Sequence, residues 1–153
     1  MPTQTTTIGN DAQQAADAIF DAVFERSLHF QVELEFDQAC RFIRRINQYN
    51  DFEWTHVVDA LDHIDRLIPR RSYGPENPNN GQRDYRLRVG REGSPVLYLD
   101  RLEVGEKLPL TDASIKAICE EMELIGGADE ADASIEPLSF TNGRHVTFRF
   151  WWD

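Results

Sequence analysis

The chain has 153 residues, 41% of them hydrophobic and 10% aromatic, which suits one domain and excludes two of ordinary size. Twenty-seven acids against sixteen bases leave a formal charge of −11. That balance speaks against direct binding to nucleic acid or to an anionic membrane, since phosphate affinity comes from clustered Lys and Arg.

The longest apolar runs, such as Val96-Leu97-Tyr98-Leu99, reach about four residues, against the roughly 20 that a membrane-spanning helix needs. The first residues carry neither a basic segment nor an apolar one, so no secretory leader is expected and the expected compartment is the cytoplasm. Cys40 and Cys119 each fall in an apolar helical pattern, where a buried free thiol is the expected state. Fourteen of the sixteen basic residues are Arg, only Lys107 and Lys116 being Lys. Such a bias follows from a GC-rich genome or from adaptation to salt.

Residues 1–10 are polar and Thr-rich, which predicts a disordered tail before a single α+β domain over residues 11–153. Asn10 or Asp11 caps a first helix carrying Ile19, Phe20, Val23 and Phe24. Leu28, Phe30, Val32, Leu34 and Phe36 then alternate with His29, Gln31, Glu33 and Glu35, a strand pattern with one buried face. Asp37 is the expected cap of a second helix with Cys40, Phe42, Ile43 and Ile46 inward and Arg41, Arg44 and Arg45 outward. Asp51 opens a third, striped by Val57, Val58, Leu61, Ile64, Leu67 and Ile68 and stopped by Pro69. Residues 69–82 hold three Pro, two Gly and three Asn and read as a long loop.

From Asp84 the pattern turns β. Tyr85, Leu87 and Val89 alternate with Arg86 and Arg88, a turn covers residues 90–95, and residues 96–100 return. Thr111 or Asp112 starts a helix with Ile115, Ile118, Cys119 and Met122, ended by Gly126-Gly127. Residues 135–140 and 145–152 form a last hairpin closed by Asn142-Gly143, a pair suited to a type I′ turn. The expected fold is an antiparallel sheet of about five strands, one N-terminal strand plus two hairpins, packed against three to four helices.

Motifs for chemistry are sparse. His56, Asp59 and His63 lie three and then four apart, a spacing that gathers them on one helix face. Two imidazoles and a carboxylate suit zinc or another divalent ion. No other cofactor is suggested. There is no Gly-x-Ser-x-Gly elbow, and Gly90-Arg91-Glu92-Gly93 falls in a hairpin rather than between strand and helix. The outward positions of the strands, acids on the first and Arg86, Arg88 and Arg149 on the later ones, predict acid–Arg pairs across the open sheet face.

Acids with no evident Arg partner then remain: Asp59, Asp62 and Asp65 on the third helix, Glu120, Glu121 and Glu123 on the fourth, and Asp129, Glu130 and Asp132 in the loop after it. Trp151 and Trp152 close the chain beside Arg149, a composition typical of interface anchors. These features support a non-enzymatic acidic module that binds a protein partner with a basic surface, such as an inhibitor or immunity-like protein covering a nucleic-acid-binding site. Glu120, Glu121, Asp129, Glu130 and Asp132 would supply charge, and Trp151 or Trp152 the anchor. A small metal-dependent enzyme using His56, Asp59 and His63 is one alternative. A homo-oligomer joined through the terminal hairpin is another.

Overall fold

A computed structural model describes residues 11–22, 31–46, 49–72, 75–92, 94–105, 107–139 and 141–153. The predicted N-terminal tail, together with Leu28, His29 and Phe30, lies outside them.

Residues 11–22 are helical (α1). Phe20 from this helix stacks on Phe42 at 4.9 Å and 11°, and Arg41 and Arg45 cover the same ring. The predicted first strand shrinks to β1, Glu33–Leu34. Phe36, its expected last inward residue, is instead the first residue of α2, Phe36–Ile43. Local capping accounts for this. The Glu35 N–H donates to Gln38 Oε1 at 3.0 Å, so the helix starts at Glu35 rather than at the expected cap Asp37. The inward stripe of Ala39, Cys40, Phe42 and Ile43 is buried as the periodicity requires. Helix α3, Trp54–Leu67, starts after Glu53 rather than Asp51, and Ile68 leaves it in extended conformation before Pro69. Val57, Ala60, Leu61 and Ile64 are buried, whereas Leu67 lies on the outside.

Strands β2, Arg86–Glu92, and β3, Ser94–Glu103, pair out to Glu92 opposite Ser94. The wide turn expected over residues 90–95 is therefore ladder. Helix α4, Asp112–Leu124, is capped by Thr111, whose hydroxyl accepts from the Ser114 N–H at 3.1 Å. Beyond it, Gly127 has the left-handed backbone (φ 68°) that ends a helix at low steric cost. Strands β4, Glu130–Pro137, and β5, Arg144–Trp151, complete the fold. Their connection spans the six residues 138–143, and neither Asn142 nor Gly143 adopts positive φ, so the expected two-residue type I′ turn does not form. Strand β4 also begins five residues earlier than expected, which puts Glu130 and Asp132 on a strand instead of in a loop.

The five strands form one antiparallel sheet in the order β1-β2-β3-β5-β4, as the α+β reading requires. Leu87 and Val89, Leu97 and Leu99, and Val146, Phe148 and Phe150 point to one face. There they join Phe42, Val57, Leu61, Ile64, Ile118 and Met122 of the helices in a single core. Helix α2 packs on β2, α4 on β4 and β5, and α3 touches both helices. Among the described residues no helix packs on the opposite face, and β4 forms one long edge.

Candidate functional site

The open face carries the expected acid–Arg lattice. Arg88 donates to both oxygens of Asp100 at 2.6 and 3.1 Å and lies 4.5 Å from the Tyr98 ring centroid. Asp100 also accepts from the Thr147 hydroxyl at 3.0 Å and has His145 Nε2 at 3.4 Å. Arg86 meets Glu35 at 3.1 Å, and Arg149 reaches Glu130 and Asp132 at 3.4 and 3.7 Å. The exposed pairs among these, those of Arg86 and Arg149, contribute at most about 1 kcal/mol each. Their larger consequence is that the Arg side chains of this face are occupied at home.

The negative charge is densest along α4 and β4, whose Glu130 and Asp132 also border this face. Residues 111–137 hold eight acids and a single base, Lys116, so this segment alone carries −7 of the −11. Glu120 and Glu123 are exposed on α4, Glu130 and Asp132 on β4, and Asp129 between them. Glu121 does not share that outward surface, because it is turned toward α3, with His63 Nδ1 at 3.3 Å. On α3 Asp59 and Asp62 are exposed. Asp65 is drawn in, accepting from Arg70, Arg83 and the Tyr85 hydroxyl at 2.7, 3.0 and 2.5 Å.

The two terminal tryptophans part company. Trp151 is half-buried on the open face, opposite Glu130 and 5.1 Å from the Arg149 guanidinium. Trp152 is fully buried, edge-on to Phe52 at 5.0 Å, and its indole N–H donates to the Gly126 carbonyl at 3.0 Å. It is a core residue and presents nothing to a partner, so Trp151 alone keeps the anchor role considered for the pair.

His56, Asp59 and His63 share α3, but their side chains do not meet at one point. His56 Nδ1 lies 3.5 Å from Glu53, while His63 turns to Glu121 on α4. Among the described residues no three His, Cys, Asp or Glu side chains converge as a metal site would require. Two imidazoles on one face bind a metal only when free to turn toward a common point, and these face different carboxylates.

Both cysteines are free, and burial pushes each thiol from an ordinary 9.0 up to about 11, with Asp62 adding to the shift at Cys40 and Glu123 at Cys119. Neither is an activated nucleophile. At about pH 8 the folded chain is expected to react with a thiol-directed disulfide reagent about a hundredfold more slowly than the urea-unfolded chain, in proportion to its thiolate fraction. A comparable rate in both states, read by absorbance of the released thiol, contradicts it. The same rise makes the folded chain retain thiol protons that the unfolded chain releases. This contribution to stability is intact below pH 9.0 and declines as pH approaches about 11.

A second charged site escapes the sequence patterns. Asp84 is 5% exposed and accepts from Arg71 Nε at 3.1 Å and Lys107 Nζ at 2.9 Å, with Arg101 at 3.7 Å. Arg101 is 1% exposed. It pairs with Glu103 and donates to the Leu108 carbonyl at 2.8 Å. Glu103 in turn accepts from Arg144 Nε at 2.5 Å and the Leu110 N–H at 2.7 Å. A cavity of about 280 Å³ opens against this network, walled by Arg70, Arg71, Asp84, Arg101, Lys107 and the apolar Pro69, Val104 and Leu108. One signal for it was present. The alternation that turns Leu97 and Leu99 inward also turns Arg101 and Glu103 inward once β3 continues beyond Asp100.

No protein-family model, no curated protein and no solved structure matches the chain.

Proposed function

We propose that the protein is a non-enzymatic acidic module that binds a protein partner through the flank formed by α4 and the β4 edge. The observation that carries this reading is the one-sided charge of residues 111–137, eight acids against Lys116, beside a half-buried Trp151. Glu120, Glu123, Asp129, Glu130 and Asp132 present carboxylates along this flank. They would steer a basic surface toward it and speed encounter. Trp151, across the ladder from Glu130, supplies apolar area of the kind that dominates interface energies. A nucleic-acid-binding protein is the partner class whose basic groove fits such a flank, and an inhibitor or immunity role follows from covering it.

The same charges disfavour pairing of two copies through β4. In an antiparallel pairing about a two-fold axis at Ala133, Glu130 of each copy would lie opposite Glu136 of the other, and like charges directly opposite one another destabilise strand pairing.

Capture from the native cell tests the reading, comparing the wild-type chain with a Glu120→Lys/Glu123→Lys/Glu130→Lys/Asp132→Lys variant. A basic protein should be retained by the wild type at low salt, lost at about 0.5 M salt where screening is strong, and lost by the variant at any salt. Retention of the same proteins by both chains, or of acidic proteins alone, would refute it.

A further inference from the structure

The cavity beside Asp84 stands out because it is cationic in a chain of strongly negative charge. Among the described residues, the ion-pair network behind it joins four cations, Arg71, Arg101, Lys107 and Arg144, to two carboxylates, Asp84 and Glu103. Arg70, also in the wall, is matched by Asp65 at 2.7 Å. The network therefore holds two more positive charges than negative ones, next to an open space.

Its deepest member is also incompletely satisfied. The Arg101 Nε–H has no hydrogen-bond partner, one of two buried side-chain polar atoms in that state among the described residues. Leaving such a donor unpaired costs about 1–3 kcal/mol, more for a charged group, and native proteins keep few of them. The cations also come from different stretches of chain: Arg70 and Arg71 from the segment after α3, Arg101 from β3, Lys107 from the loop beyond it. A planar carboxylate is satisfied by one guanidinium fork. Cations arriving from several directions suit a tetrahedral anion better, and a surplus of two charges matches a dianion.

We propose that this cavity binds the phosphate group of a small phosphate monoester, with its organic part against Pro69, Val104 and Leu108. The volume of about 280 Å³ lies near the lower end for small-molecule sites and leaves room beyond the phosphate for a compact organic body. This site is separate from the α4–β4 flank and does not depend on the partner reading.

Calorimetric titration and thermal melting of the full chain with phenyl phosphate, inorganic phosphate and benzoate test it, in chloride at matched ionic strength. Phenyl phosphate should bind saturably and raise the melting temperature, as any ligand of the folded state does. Inorganic phosphate should bind more weakly and benzoate weakest. Arg71→Gln and Lys107→Gln each leave Asp84 one direct partner, and each should weaken phenyl phosphate at least tenfold. Should either variant fail to fold, NMR of the wild-type chain decides, the Arg71 and Arg101 Nε–H signals being expected to shift with saturation. No saturable binding up to about 10 mM, benzoate binding as tightly as phenyl phosphate, binding unchanged in both folded variants, or shifts confined to other residues each overturns the proposal. Inorganic phosphate binding as tightly as phenyl phosphate overturns the role of the apolar wall and leaves the free anion as the ligand.

Discussion

Replacing Glu103 with alanine is expected to lower the unfolding free energy by about 3–5 kcal/mol, the cost of removing one partner of a buried ion pair. Glu103 sits on the core side of β3 at 5% exposure, and three donors converge on it: Arg101, Arg144 and the Leu110 N–H. Without the carboxylate, the Arg101 guanidinium stays 1% exposed with only the more distant Asp84 to balance it, and the Leu110 N–H loses its acceptor. The attraction is not the reason for so large an effect. The desolvated charge left behind is. It follows that an Arg101→Met/Glu103→Leu double variant, which removes both charges and keeps apolar volume, should lie much nearer the wild type than Glu103→Ala. Urea unfolding of Arg101→Met, Glu103→Leu and the double variant measures this as a coupling energy. If the double variant is as unstable as the two single losses added together, the pair is not acting as a unit and the argument fails. The same double variant should also lose phenyl phosphate binding, since it removes the deepest cation of the cavity.

Trp152→Ala is expected to cost a comparable amount, about 3–5 kcal/mol. The indole is wholly buried and packs edge-on against Phe52, and its N–H donates to the Gly126 carbonyl. Backbone and side chains are close at that point. A Cβ added to Gly126 would fall 2.7 Å from the Met122 carbonyl, which shows how closely the segment after α4 is already packed. Trp152→Phe should separate the two contributions, keeping an aromatic ring and losing the hydrogen bond, worth about 0.5–1.5 kcal/mol. Trp151→Ala is the contrasting variant. Trp151 lies on the open face, so its loss should change stability by less than about 1 kcal/mol while weakening association with a basic partner. Chemical unfolding of the three variants checks the ranking. A Trp151→Ala variant less stable than Trp152→Ala would reverse the assignment of core and surface.

Periodicity locates most of the fold because burial on one face imposes it. The stripe Cys40, Phe42, Ile43 on α2, the alternation of Leu87 and Val89 on β2, and the Val146, Phe148, Phe150 series on β5 each recur at the spacing of their element, and all of them are buried. Boundaries are less legible, since they are set by single hydrogen bonds. Strand β1 is short because the Glu35–Gln38 cap starts a helix inside an otherwise alternating run. The hairpin between β4 and β5 has a six-residue connection although Asn142-Gly143 favours a tight one, because the register of β5 against β3 and β4 places Arg144, not a turn, opposite Glu103 and Pro137.

The candidate sites divide in the same way. Charge content is a sum over residues, so the acidity of residues 111–137 and the Arg-rich outward positions of the sheet are readable from the amino-acid order alone. Periodicity likewise implies that only one of Trp151 and Trp152 can be buried, and the series Val146, Phe148, Phe150 continues to Trp152. Three-dimensional packing turns Glu121 toward α3. It also holds His56 and His63 against separate carboxylates, and it gathers Arg71, Asp84, Arg101 and Lys107 around one cavity. Those four residues span 37 positions of chain and share no local pattern. Chain composition and period are properties of neighbours in sequence, whereas the convergence of charges at a buried point depends on strand register and loop closure, which only the folded chain supplies.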